Sequence, residues 1–155
     1  MEFLKLKYLL FIPVVYLFGF MQQLNAQTGN QLNAPFNSDQ YNTITPHVSY
    51  DESRFVFIKG TEGKKEIAES FIQTDGTWSA PVSIDAINQF DSVKFTLESP
   101  SYNHNATEIY FSVRYEKSST GSDIYVSKRI NGAWTKPEKF SPVINSKHNE
   151  TDPFI

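Results

Sequence analysis

Apolar positions along this chain fall into short runs at regular spacing. Arg54 to Lys59 and Glu108 to Arg114 are β-branched and aromatic runs, apolar on both faces, which predicts an inner strand covered from two sides. Neither run carries a stripe at the period of a helix. Glu66 to Gln73 and Asp123 to Ile130 predict the next strand of each set. Asp75-Gly76 and Asn131-Gly132 then supply two-residue hairpin turns, because glycine accepts the positive φ that such turns require. Trp78 and Trp134 open a further strand, with Pro81 and Pro137 inside it. Proline has no N–H to give, so that strand is expected at an outer edge. Together with the short segments around Pro46 and Pro100, the pattern predicts four antiparallel strands twice over.

The two sets align residue by residue. Pro46, Phe55, Val56 and Phe57 correspond to Pro100, Ile109, Tyr110 and Phe111 at an offset of 54. Gly76, Trp78 and Pro81 match Gly132, Trp134 and Pro137 at 56, and Ile87-Asn88 matches Ile144-Asn145 at 57. Asn37-Ser38, Asn42-Thr43 and Pro46 recur as Asn145-Ser146, Asn149-Glu150 and Pro153, so a third copy begins at the C-terminus. A repeat of this length and content predicts an all-β chain of four-stranded β-propeller blades. The expected divisions are a polar linker and lead-in over 27–43, blades over 44–97 and 98–150, and the first strand of a third blade over 151–155. Closed propellers use about four to eight blades. The expectation is therefore a longer natural product, or two-blade chains that self-associate through their open faces.

The N-terminus differs from the rest. Lys5 and Lys7 precede an apolar run from Tyr8 to Met21 that contains Pro13, and polar residues follow up to Ala26. A bilayer core needs about 20 apolar residues, so residues 1–26 read as a cleaved signal peptide rather than an anchor. Export to the periplasm, the outer membrane or the medium follows as an expectation, with no transmembrane span after cleavage.

Composition narrows the chemistry. The 155 residues hold 14 Lys+Arg against 17 Asp+Glu, a formal charge of −3, which argues against nucleic acid as a partner. Removal of residues 1–26 takes away Glu2, Lys5 and Lys7, leaving 12 basic against 16 acidic side chains and a charge of −4. The absence of cysteine excludes disulfides, thiol nucleophiles and cysteine zinc sites.

These landmarks resemble the TolB-like propeller repeat of bacterial envelope proteins. The second set follows that pattern closely with Pro100, Tyr110-Phe111, Asp123-Ile124-Tyr125-Val126, Gly132-Ala133-Trp134, Pro137 and Ile144-Asn145, and Asn149 to Pro153 begins it again. The first set departs at Glu66-Ile67-Ala68 and carries extra residues between Asn88 and Pro100. Such repeats occur in OmpA-like and peptidoglycan-associated proteins. The resemblance implies a non-catalytic binding or scaffold module that needs no cofactor and takes an envelope protein, peptide or glycan on the loops of one face. The alternative is the propeller portion of a secreted glycosidase, sialidase-like enzyme or peptidase whose catalytic residues lie outside this chain.

Candidate site residues read first as architecture. Asp51 and Asn105 sit in the turns Ser49–Ser53 and Asn103–Thr107, where short polar side chains cap their own backbone. Asp123 is expected as a buried acceptor tying adjacent strands. His148, Glu150 and Asp152 share a loop but match no defined metal-binding spacing, and His47 and His104 lack an evident partner for acid–base work. Gln73 to Trp78 does not keep the spacing of a sialidase Asp-box, and Arg54, Arg114 and Arg129 are the only arginines, too few to predict an arginine cluster for a carboxylated sugar. No residue is expected to be catalytic, cofactor-binding or metal-ligating. Ligand contact is expected in the loops Gly60–Lys65, Ala86–Glu98, Glu116–Ser122 and Ser141–Glu150.

Overall fold

In the computed structural model, which describes residues 38–155, nearly all regular structure is antiparallel sheet. The expected signal peptide and most of the expected linker lie outside the described residues. One sheet runs in the order β1 (Asn42–Val48), β2 (Arg54–Thr61), β3 (Lys64–Phe71) and β4 (Val82–Ser83). The other runs β5 (Phe95–Tyr102), β6 (Glu108–Tyr115), β7 (Asp123–Ile130) and β8 (Ala133–Trp134), with β9 (Glu138–Lys139) also pairing with β7. One sheet is strongly curled, and a single helical turn, α1 (Asp85–Asn88), joins the two.

The repeat read from the sequence has a backbone counterpart. Thr45, Ser99 and Asp152 have φ of 45°, 50° and 53°, and each precedes one of the repeat prolines Pro46, Pro100 and Pro153. A residue before proline is normally extended, so three left-handed residues at matching positions are a built feature. In β1 and β5 that feature is a bulge: pairing slips between Ile44 and His47, and again between Glu98 and Ser101. The Ile-Asn landmark has a job as well. Asn88 accepts the N–H of Ile67 at 2.8 Å and donates to its carbonyl at 2.9 Å, while Asn145 does the same for Ile124 at 2.7 and 2.9 Å. Each asparagine thus gives the strand N–H its acceptor and shares the carbonyl with a backbone N–H, that of Ile84 or Phe140.

The outermost strand is broken rather than continuous. Pro81 and Pro137 carry no N–H, and the pairing stops around each of them. Side chains bridge the gap: Ser79 Oγ accepts the N–H of Phe71 at 3.1 Å, and Thr135 Oγ1 accepts that of Lys128 at 3.1 Å. The turns also divide. Asn131 and Gly132, with φ of 51° and 83°, form the expected two-residue turn between β7 and β8. The Asp75-Gly76 turn is wider, closed by Gly76 N–H on Gln73 O at 2.9 Å and by Gln73 N–H on Thr77 O at 2.8 Å. The stretch Ala86–Glu98, expected as a loop, contains most of α1 and the start of β5, and residues 151–155 form no strand.

Face assignment fixes how the sheets stack. Val56, Ile58 and Ile67 of the first sheet, with Ile84 and Ile87, share one core with Leu97, Tyr102, Ile109, Phe111 and Val113 of the second. Phe55, Phe57 and Ala68 lie in a separate cluster on the other face of the first sheet. Tyr110, Ile124 and Val126 occupy the other face of the second, against Phe140. By the repeat correspondence Phe55 and Phe57 match Ile109 and Phe111, whereas Val56 matches Tyr110. The shared core therefore joins one face of the first sheet to the opposite face of the second, a head-to-tail stacking.

Candidate functional site

The strand connections divide between two ends of the sheets. The turn Glu62-Gly63, α1 with the segment after it, and the loops 116–122 and 141–150 lie at one end, in keeping with the antiparallel order. The turns 49–53, 73–77, 103–107 and 131–132 lie at the other.

At the first end the C-terminal stretch is tied down. Asn149 Oδ1 accepts the N–H of Ser122 at 3.0 Å, and Glu150 N–H donates to Ser122 O at 2.9 Å. His148, Glu150 and Asp152 do not converge. Glu150 accepts from Ser146 Oγ at 2.6 Å, Asp152 accepts from Ser99 Oγ, and the backbone N–H of His148 donates to Ser146 Oγ at 3.0 Å. Among the described residues no group of three or more His, Cys, Asp or Glu is placed to hold a metal ion. Asp123 is buried and pairs with Lys139 Nζ at 2.9 Å through Oδ2, which puts the expected tie onto β9.

At the second end the turns have the expected capping role, with one change of residue. Asp51 accepts from Ser49 Oγ at 2.6 Å, Ser53 Oγ at 2.7 Å and Ser53 N–H at 3.2 Å. These bonds, led by the Ser49 hydroxyl, pull its carboxyl down to about 2. In the second turn the capping residue is Asn103, not Asn105: its Oδ1 takes the N–H of Thr107 at 2.9 Å and of Glu108 at 3.1 Å. Asn103 stands where Ser49 stands in the first turn, and Ser49 Oγ likewise accepts the N–H of Arg54, the counterpart of Glu108, at 2.9 Å. Tyr50 and His104, equivalent in the repeat, face each other with ring centroids 4.1 Å apart.

Between the sheets lies a polar centre built on Glu69, a residue the sequence pattern does not single out. Its Oε1 accepts from Arg129 Nη2 at 2.5 Å and from Trp134 Nε1 at 3.1 Å. Its Oε2 accepts from the Tyr102 hydroxyl at 3.2 Å and stands 3.7 Å from Arg54 Nη1. Arg129 stacks over the Trp134 ring at 4.6 Å. Two of the three arginines thus meet one carboxylate, and Arg114 stays exposed on β6. Burial, then the Glu69 carboxylate, holds the Tyr102 hydroxyl well above its ordinary value, so it stays a proton donor. His47 joins the edge of this centre by accepting the Tyr102 N–H on Nδ1 at 3.2 Å. Partial burial lowers its pKa, which suits an acceptor that must be neutral. The signal for Glu69 was present as a mismatch: its repeat counterpart is Val126, so a charge stands where the pattern calls for an apolar side chain.

Chemically, this centre satisfies its carboxylate, while Arg129 Nε is buried without a hydrogen-bond partner. Both carboxylate oxygens are engaged by groups from two sheets, which is the arrangement of a structural tie rather than of a base awaiting a substrate. Beside the turns 49–53 and 73–77 lies a shallow open depression of about 890 Å³, lined by Val48, Tyr50, Asp51, Ile72 and Trp78 among others. No protein-family model matches this chain, and no curated protein matches it.

Proposed function

We propose that this chain is a non-catalytic binding or scaffold module of propeller-type blades, resembling the TolB-like repeat, in an exported bacterial envelope protein. The observation that carries this reading is the head-to-tail stacking of two equivalent four-position sheets, each with the same left-handed residue before its repeat proline. A sandwich of two sheets closes on itself, whereas head-to-tail stacking keeps a further face on each side and suits a propeller. The end that carries the loops 116–122 and 141–150 is the surface for an envelope protein, peptide or glycan. Support for a non-catalytic role comes from Asp51, Asp123 and Glu69, which hold turns and sheets together.

The test pairs binding with turnover. Soluble peptidoglycan fragments and envelope-derived peptides are titrated against the purified chain, and the same preparation is assayed on glycoside and peptide substrates. Binding that weakens when the 141–150 loop is altered, with no turnover, is the expected outcome. Turnover that disappears in Glu150→Gln would replace this reading by the hydrolase.

A further inference from the structure

The depression beside Tyr50 and Trp78 is the first sheet's copy of a place that is filled in the second, so what fills it there indicates what this one takes. Its residues Val48, Tyr50, Ile72 and Trp78 correspond in the repeat to Tyr102, His104, Arg129 and Trp134. Ile72 pairs with Trp78 across its strands as Arg129 pairs with Trp134. In the second sheet the place is covered by the first: Tyr102 is 1% exposed, and Arg129 lies over the Trp134 ring with its guanidinium on Glu69. In the first sheet it lies open, with Val48 42%, Ile72 43% and Tyr50 75% exposed.

The rim of the open depression carries charge. Asp51 and Glu52 line it where the second turn has Asn105 and Ala106, and none of its described lining residues is basic. Glu52 and Ala106 share a left-handed backbone, with φ of 57° and 51°. Ala106 is 7% exposed and belongs to the shared core, so this turn position is one that a covering element buries. An occupant of the depression therefore shields the Glu52 carboxylate from water, which is costly unless it supplies a cation. Asp51, held by the Ser49 and Ser53 hydroxyls, adds a second negative charge beside it.

Tyr50 favours one kind of cation. Its ring is held against His104, with centroids 4.1 Å apart, and so offers a fixed exposed surface. A guanidinium is planar, weakly hydrated and able to stack on such a ring while donating two N–H bonds to a carboxylate. The chain uses that combination once already, in Arg129 over Trp134 with Glu69 as its counter-ion. Val48 and Ile72 add an apolar lining, which a peptide with apolar side chains covers and a free guanidine does not.

We propose that the depression binds an arginine-bearing, otherwise apolar peptide segment of a partner protein, with its guanidinium at Glu52 and Asp51 beside Tyr50 and its apolar side chains on Val48 and Ile72. The site stands at the end opposite the loops 116–122 and 141–150 and is separate from the ligand surface proposed above.

Amide shifts of the isotope-labelled chain, titrated with the peptide acetyl-Val-Leu-Arg-Leu-Val-amide, test this. Shifts are expected at residues 49–53 and 72–78, with saturation below about 1 mM. Replacing the arginine by citrulline, which keeps the shape and loses the charge, is expected to weaken binding about fivefold, with lysine between the two. Glu52→Gln should cost the arginine peptide as much and leave the citrulline peptide unaffected. Glu52 is exposed, so this variant keeps the fold. Equal affinity for the arginine and citrulline peptides, or for the arginine and lysine peptides, overturns the proposal. So does a Glu52→Gln chain that binds the arginine peptide as the parent does, or an absence of shifts at 49–53 and 72–78 at about 1 mM. None of these outcomes touches the earlier ligand reading, which is judged at residues 116–122 and 141–150.

Discussion

Glu69 of β3 and Arg129 of β7 belong to different sheets and meet with Oε1 and Nη2 2.5 Å apart. Their side chains are 10% and 16% exposed, so the pair is largely removed from water. Much of the value of such a pair shows only when one member is lost, because the survivor is then a buried charge without a counterpart. Glu69→Ala is expected to destabilise the chain by about 3–5 kcal/mol, measured as a fall in urea midpoint. The double replacement of Glu69 by Val and Arg129 by Ile should recover the part of that loss due to the orphaned charge, while the Tyr102 hydroxyl and Trp134 Nε1 still lack their acceptor. An unchanged midpoint for Glu69→Ala would show that the contact does not tie the sheets.

Asn145 is the second structural lever. It is 8% exposed and serves both the N–H and the carbonyl of Ile124, with a further bond to Phe140 O at 3.0 Å. Asn145→Ala leaves the Ile124 N–H without its acceptor, at about 1–3 kcal/mol, whereas the Ile124 carbonyl keeps the Phe140 N–H. Hydrogen exchange at the Ile124 amide should accelerate with it, and Asn88→Ala should act likewise on Ile67. A protected Ile124 amide in Asn145→Ala would argue against this role.

Stability should fall as pH drops below neutrality, through His47. Its folded pKa lies below the ordinary 6.5, so the unfolded chain binds a proton that the folded chain resists. The contribution is present above about pH 6.5 and declines as pH falls through that value toward the lower folded one. His47→Asn, which keeps an acceptor for the Tyr102 N–H, should flatten the slope below about pH 6.5 in thermal unfolding. Asp51 acts further down: its folded value of about 2 against an ordinary 3.8 means stability lost as pH falls through that interval, and Asp51→Asn should remove this part.

Gly121 packs against the C-terminal stretch. A methyl group there would collide with the Asn149 side-chain oxygen and lie 2.7 Å from the His148 carbonyl oxygen. Gly121→Ala is therefore expected to release residues 148–155 from Ser122, seen as faster proteolysis after Lys147 with little change in the sheets. Equal cleavage rates in both proteins would count against it.

The short β-branched and aromatic runs, bounded by turn residues, were enough to place β2, β3, β6 and β7, because runs of that length and content between turns suit strands and not helices. The Asn131-Gly132 turn and the architectural role of Asp51 were legible because each depends on residues close in sequence, and the repeat because its landmarks recur in order at offsets of 54 to 57. What the sequence could not place was the centre on Glu69. Its partners Tyr102, Arg129 and Trp134 stand 33, 60 and 65 positions away, and only the stacking of the sheets brings them together. The broken outer strand was also hidden, since proline shows where a backbone bond is missing but not that Ser79 and Thr135 replace it. Local backbone rules determined the strands and turns of this chain. Which face of each sheet meets the other was decided in the tertiary structure, where burial of a carboxylate demands that all of its partners arrive together.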